Sequence, residues 1–117
     1  MSDEFKIKFS KVKIITMVPK NDVDKVRRAI CLNGAEKIGN YTFCSTSSNC
    51  IATFLPNESA NPSIGKIGNL EKVEEIKLET SCDIQNVASV VKILRETHPY
   101  EEPEIDIIPL IDETCFY

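Results

Sequence analysis

The stretch VKIITMVPKNDVDKVRRAICLNG, residues 12–34, reads as a strand, an abrupt stop and a helix. Val12 to Pro19 is rich in β-branched side chains and ends at proline, the composition of a strand. The adjacent Ile14 and Ile15 predict burial on both faces of a sheet. Asn21 is placed to cap a helix, with Asp22 and Asp24 in the first turn, where acids meet the positive end of the helix dipole. Val23, Val26 and Ile30 then fall on one helical face. Asn33-Gly34 closes the helix, because glycine takes the left-handed C-terminal position without a Cβ clash. A β-α unit therefore opens the chain after a charged segment, residues 1–10, that reads as a loose arm or an added strand.

The remaining pattern repeats this unit with strands inserted. Residues 37–48 read as a loop, and Ile51 to Leu55 as a second strand stopped by Pro56. Residues 56–69 are the longest turn-rich stretch, and long ordered loops often carry function. Glu71 to Thr80 alternates as a half-buried third strand, with Glu74-Glu75 interrupting the period and predicting a bulge. A second helix is expected over about 83–97, capped by Asp83, with Val87, Val90, Val91 and Leu94 as its apolar stripe. It must end before Pro99, and Ile105 to Leu110 forms the last strand. The order strand, helix, strand, strand, helix, strand selects the ferredoxin-like α+β arrangement: a four-stranded antiparallel sheet with two helices on one face. The other face, expected to carry Ile, Val and Phe, then needs a cover, which predicts self-association.

The chain has 117 residues with 42% hydrophobic and 27% charged residues, the profile of one soluble domain over 1–117 with a core of about 12–110. No apolar run approaches a membrane span, and no secretory h-region opens the chain, so a cytoplasmic protein is expected. The net charge of −4 argues against nucleic acid as the main partner. The charge is uneven. Residues 1–37 carry nine basic and five acidic groups, whereas residues 98–117 carry six acids and no Lys or Arg. Five cysteines without a CxxC pair read as reduced, structural residues.

The candidate chemistry gathers in one segment, His98-Pro99-Tyr100-Glu101-Glu102-Pro103. Two prolines fix the backbone there, so the side chains are held in a set display. His98, the only histidine, is of a type that ligates divalent cations, with Glu101, Glu102 or a cysteine such as Cys44 as partners. It equally suits the C-terminus of the preceding helix, where a positive charge meets the dipole. Tyr100 suits orienting a ligand or plugging a pocket. No HExxH, GxGxxG or GxxxxGK[ST] motif occurs, and no cofactor is implied. A cysteine nucleophile would need a thiol of lowered pKa beside a base, and no local signature marks one.

Several motifs in one order carry a family resemblance. Residues 34–41, then Cys44-Ser45, then Thr53-Phe54-Leu55-Pro56, then residues 61–65 beginning Asn61-Pro62, then Gly68, Glu71, Val73-Glu74-Glu75 and the His98 to Pro103 segment resemble the domain inserted into the GTP cyclohydrolase type 2 homologue (Nif-like) proteins. His98-Pro99-Tyr100-Glu101 and Pro103-Glu104-Ile105 are also similar to the CutA divalent-cation tolerance proteins. The resemblance implies a PII/CutA-like version of the ferredoxin fold, which commonly forms trimers. It does not imply the paired metal site of the larger Nif-like proteins, which belongs to their flanking domains. The resulting expectation is a non-catalytic homo-oligomeric module, a trimer by preference, that binds a small ligand or protein partner at subunit clefts. Asn61, His98, Tyr100, Glu101 and Glu102 are its candidate binding residues. The alternative is a CutA-like divalent-metal binder using His98.

Overall fold

The computed structural model describes residues 8–35, 37–62 and 64–117. The arm or strand expected over residues 1–10 falls mostly outside them; within them, the carbonyls of Lys8 and Ser10 accept bonds from the Asp112 and Ile84 N–H groups. Six main elements follow in order: β1 (Lys11–Pro19), α1 (Val23–Leu32), β2 (Thr46–Phe54), β3 (Glu71–Asp83), α2 (Val87–Thr97) and β4 (Ile105–Leu110). They form a four-stranded sheet in the order β2-β3-β1-β4, antiparallel throughout. This is the expected ferredoxin-like α+β fold.

The core lies between the helices and one sheet face. Val12, Ile14 and Val18 of β1 and Leu78 and Cys82 of β3 meet Val26 and Ile30 of α1 and Val90 and Leu94 of α2. Cross-strand partners share a face, so Ile14 opposite Thr80 and Val12 opposite Cys82 place both strands' even positions on the core. The odd positions line the other face. That face carries the expected Ile, Val and Phe, in Ile15, Ile108, Val73 and Phe54, mixed with charged side chains rather than as an unbroken apolar surface. Ile15 and Met17 lie beside Lys13, Lys77, Glu79 and Asp106, and Lys77 lies 3.8 Å from Glu79. The alternation within β3 puts acids and lysines there, and the sequence stretch supplies them.

Element ends depart from the expected ones for local reasons. A 3-10 turn at Lys20–Asp22 precedes α1, so Asp22 rather than Asn21 stands at the cap, and its side chain makes no capping bond. A 3-10 turn at Ile84–Asn86 likewise moves the start of α2 to Val87, leaving Asp83 as the last residue of β3. The second strand starts at Thr46, five positions before the expected Ile51, because backbone pairing with β3 continues through polar residues. No bulge occurs at Glu74-Glu75, since Cys50 faces Glu75 and Ile51 faces Glu74 in unbroken register. The end of α1 is as expected: Gly34 takes φ 114°, and Ala35 N–H donates to Ile30 C=O at 3.0 Å.

Candidate ligand cleft

The connection from α2 to β4 is built around a buried histidine. Pro99 drives His98 out of helical conformation, to φ −70° and ψ 135°. The His98 N–H still closes the last helical turn on Leu94 C=O, 2.9 Å away. Its ring turns inward and is only 6% exposed. There the Tyr100 N–H donates to Nδ1 at 3.1 Å. A backbone N–H can only donate, so Nδ1 carries the lone pair and Nε2 carries the proton. Nε2–H therefore donates to Met17 C=O at 2.7 Å. Burial pushes the imidazole pKa below its ordinary value, against the Met17 carbonyl and the charges of Glu75 and Asp22, which raise it.

Tyr100 carries the order outward. Its ring lies 4.9 Å from the His98 ring, tilted by 50°. Its hydroxyl donates to Glu75 Oε2 at 2.5 Å. Glu75 comes from β3 and is 2% exposed, although it lies on the face away from the helices. Burial, and then the bond to Glu75, push the phenol pKa well above its ordinary value. The two prolines and the His98 latch thus present Tyr100, Glu101, Glu102 and Glu104 along one wall.

The opposite wall is the turn-rich loop. Asn57 orders it by accepting the Ser59 N–H on Oδ1 at 2.9 Å, and Gly68 N–H closes it on Pro56 C=O at 2.8 Å. The Asn61 N–H then donates to Glu101 Oε1 at 2.7 Å, joining the two loops. Between them and the ends of β1 and β2 lies a cleft of about 560 Å³. Met17, Ala52, Phe54, Pro56 and Ile64 give it apolar walls, and Glu75, Tyr100, Glu101, Glu102 and Glu104 give it polar groups. No Lys, Arg or His is among the described residues lining it.

The structure thus brings most of the candidates together. Tyr100, Glu101 and Glu102 line the cleft, and Asn61 braces Glu101 through its backbone. His98 sits behind the wall with both ring nitrogens engaged, so as folded it has no lone pair for a metal. Cys44, its suggested partner, is tied elsewhere: its carbonyl accepts from Thr80 Oγ1 at 2.9 Å, and its thiol lies 3.6 Å from Tyr41 C=O. Among the described residues no group of three His, Cys, Asp or Glu side chains is arranged to hold a metal ion. Sequence reasoning missed Glu75, Glu104, Cys50 and Met17. Glu75 left a trace as the second half of a pair expected to break the alternation of a strand, and Glu104 as a member of the Pro103-Glu104-Ile105 motif. The Cys50 thiol pKa is raised by burial and then by Glu75, and the Cys31 pKa is raised by burial, so neither is poised as a nucleophile.

No family model matches the chain. It is 45% identical over 101 residues to the GTP cyclohydrolase 1 type 2 homolog of Halalkalibacterium halodurans, an overlap of 86% of this chain and 27% of that protein. The chain is a relative of one segment of these homologues. The homolog of Bacillus subtilis is 40% identical over 98 residues, 84% of this chain and 26% of its own length. The chain therefore spans about a quarter of the curated relatives it matches. Among solved structures, the Bacillus cereus protein related to NIF3 superposes with a TM-score of 0.76 at 35% identity, covering 90% of this chain and 26% of that one. The divalent cation tolerance protein CutA of Archaeoglobus fulgidus superposes at 0.62 with 16% identity, over 86% of this chain and 83% of that one. The NIF3-related likeness extends to sequence, whereas the CutA likeness shows the fold alone.

Proposed function

We propose that this relative of the GTP cyclohydrolase 1 type 2 homologue segment is a non-catalytic, self-associating binding module whose ligand seat is the cleft between the two loops. The observation that carries the reading is the Tyr100–Glu75 pair at the base of a cavity with apolar walls. A cavity of this size and make-up suits a small organic ligand. Its carboxylates would repel the phosphates of GTP. Self-association is supported by large apolar side chains near both outer strands, with Ile51 71% and Ile108 46% exposed. A trimer is the assembly that the PII/CutA-like resemblance implies. A cytoplasmic setting fits the free thiols of Cys31, Cys44 and Cys50.

The CutA likeness makes metal binding the alternative, and it would require His98 to release Met17 or Tyr100. Native mass spectrometry, without and with added zinc and copper, tests both readings. A metal-free oligomer is the expected result. A monomer at micromolar concentration would overturn self-association, and one metal per subunit, lost in His98→Ala, would replace the proposal with the alternative.

A further inference from the structure

The chemistry of the cleft selects its ligand by charge. Glu75 is 2% exposed, and Tyr100 takes only its Oε2. No hydrogen bond among the described residues reaches Oε1. No described side chain holds a sealed polar atom without a bond, so Oε1 must open onto the cleft that Glu75 lines. A carboxylate oxygen so placed, on a side chain 2% exposed in a cleft with Phe54 and Met17 among its lining, has little of its surface open to solvation. Glu101, Glu102 and Glu104 add negative potential at the rim. Glu101 is braced by Asn61, and Glu102 lies 3.9 Å from Arg95, which itself does not line the cleft.

We propose that the cleft binds a small organic cation, an ammonium group attached to an apolar body, with the ammonium on Glu75 Oε1 and the body against Phe54 and Met17. This rests on the cleft being a ligand seat and adds the class of ligand. An ammonium supplies the donors that Oε1 lacks, and charge-assisted bonds in a partly dry site are stronger than neutral ones. An anion of the same shape meets four carboxylates and no cation among the described lining residues. The Tyr100 hydroxyl is a positioning group: it holds Glu75 in place and keeps Oε2 occupied.

Three probes of matched shape test the proposal: 2-phenylethylamine, 2-phenylethanol and 3-phenylpropionate. Each is titrated into the ¹⁵N-labelled full chain, and the backbone amides of Asn61, Tyr100 and Glu101 are followed. The amine is expected to shift these amides and to bind about tenfold or more tightly than the alcohol. The carboxylate is expected to bind more weakly still. Glu75→Gln keeps an acceptor for Tyr100 and should bring the amine down to the level of the alcohol. If that variant does not fold, the ratio of amine to alcohol on the parent chain carries the test, and Tyr100→Phe, which releases Glu75 from its position, should lower that ratio. An alcohol or carboxylate that binds as tightly as the amine would overturn the charge selectivity and leave the cleft standing as a ligand seat. If no probe moves a cleft amide at millimolar concentration, the charge selectivity and the ligand seat fall together.

Discussion

His98 is held neutral by its burial and by the Tyr100 N–H on Nδ1, and that gives its titration a sign. Its folded pKa lies below the ordinary value of about 6.5, so the unfolded chain takes up the proton more readily. Its contribution to stability is complete above about pH 6.5 and is lost as the pH falls through the folded pKa. Urea unfolding midpoints should therefore drop between neutral and mildly acidic pH. His98→Gln keeps a donor for Met17 without a titrating ring and should flatten that drop. Equal slopes in the two proteins would sink the assignment. Tyr100→Phe leaves the buried Glu75 carboxylate without its partner and should cost about 1–3 kcal/mol in the same assay at neutral pH. The four residues of the His98 segment were legible because they are adjacent in the chain and frozen by prolines. Glu75 was not, because its burial comes from a loop more than twenty residues later folding over β3, and no local pattern encodes that contact.

At the scale of elements, apolar period decided what could be read. β1, α1 and α2 show their buried stripes in sequence, and all three appear in place. The first half of β2, Thr46 to Asn49, has no such stripe, because an exposed edge strand needs only backbone bonds to its one neighbour. The 3-10 turns that shift both helix starts have no compositional mark strong enough to separate them from a first helical turn. Glycine at the end of α1 answers a steric demand as well as a conformational one. A Cβ on Gly34 would sit 3.0 Å from the Asn86 Cβ, at φ 114°. Gly34→Ala should therefore destabilise by about 1–3 kcal/mol and lower the thermal midpoint by several degrees. Gly39 has φ 55° and open space around it, so Gly39→Asn should leave the midpoint nearly unchanged. Calorimetry of both variants checks the pair, and equal losses would remove the steric part of the argument. Leu94→Ala, at a fully buried contact between α2 and the sheet, should cost about 2–5 kcal/mol.

For the whole molecule, the apolar residues left outside the core separate assembly from folding. Ile51 on the outer strand is 71% exposed, so Ile51→Lys should leave unfolding within about 0.5 kcal/mol of the parent. If β2 contributes to association, the same variant should sediment as a smaller species, and an unchanged sedimentation coefficient would exclude this strand from the contact. The ferredoxin-like order of strands was readable from the alternation of elements, whereas the mixed charge of the open face was not. That face depends on which register pairs Lys13 with Ser81 and Met17 with Lys77.

The position of β1 has a further consequence for how the molecule comes into being. It is the first strand of the fold, yet its neighbours on either side are β3 and β4, with Lys11 paired to both Asp83 and Leu110. A chain emerging from the ribosome therefore exposes Val12, Ile14 and Val18 long before their partners exist. Only the β2–β3 hairpin, closing at Phe54 and Glu71, can pair locally during that wait. The apolar first strand therefore waits without a sheet neighbour until β3 has been made, and the sheet is complete only when β4 follows, which leaves β1 within reach of chaperones in the interval.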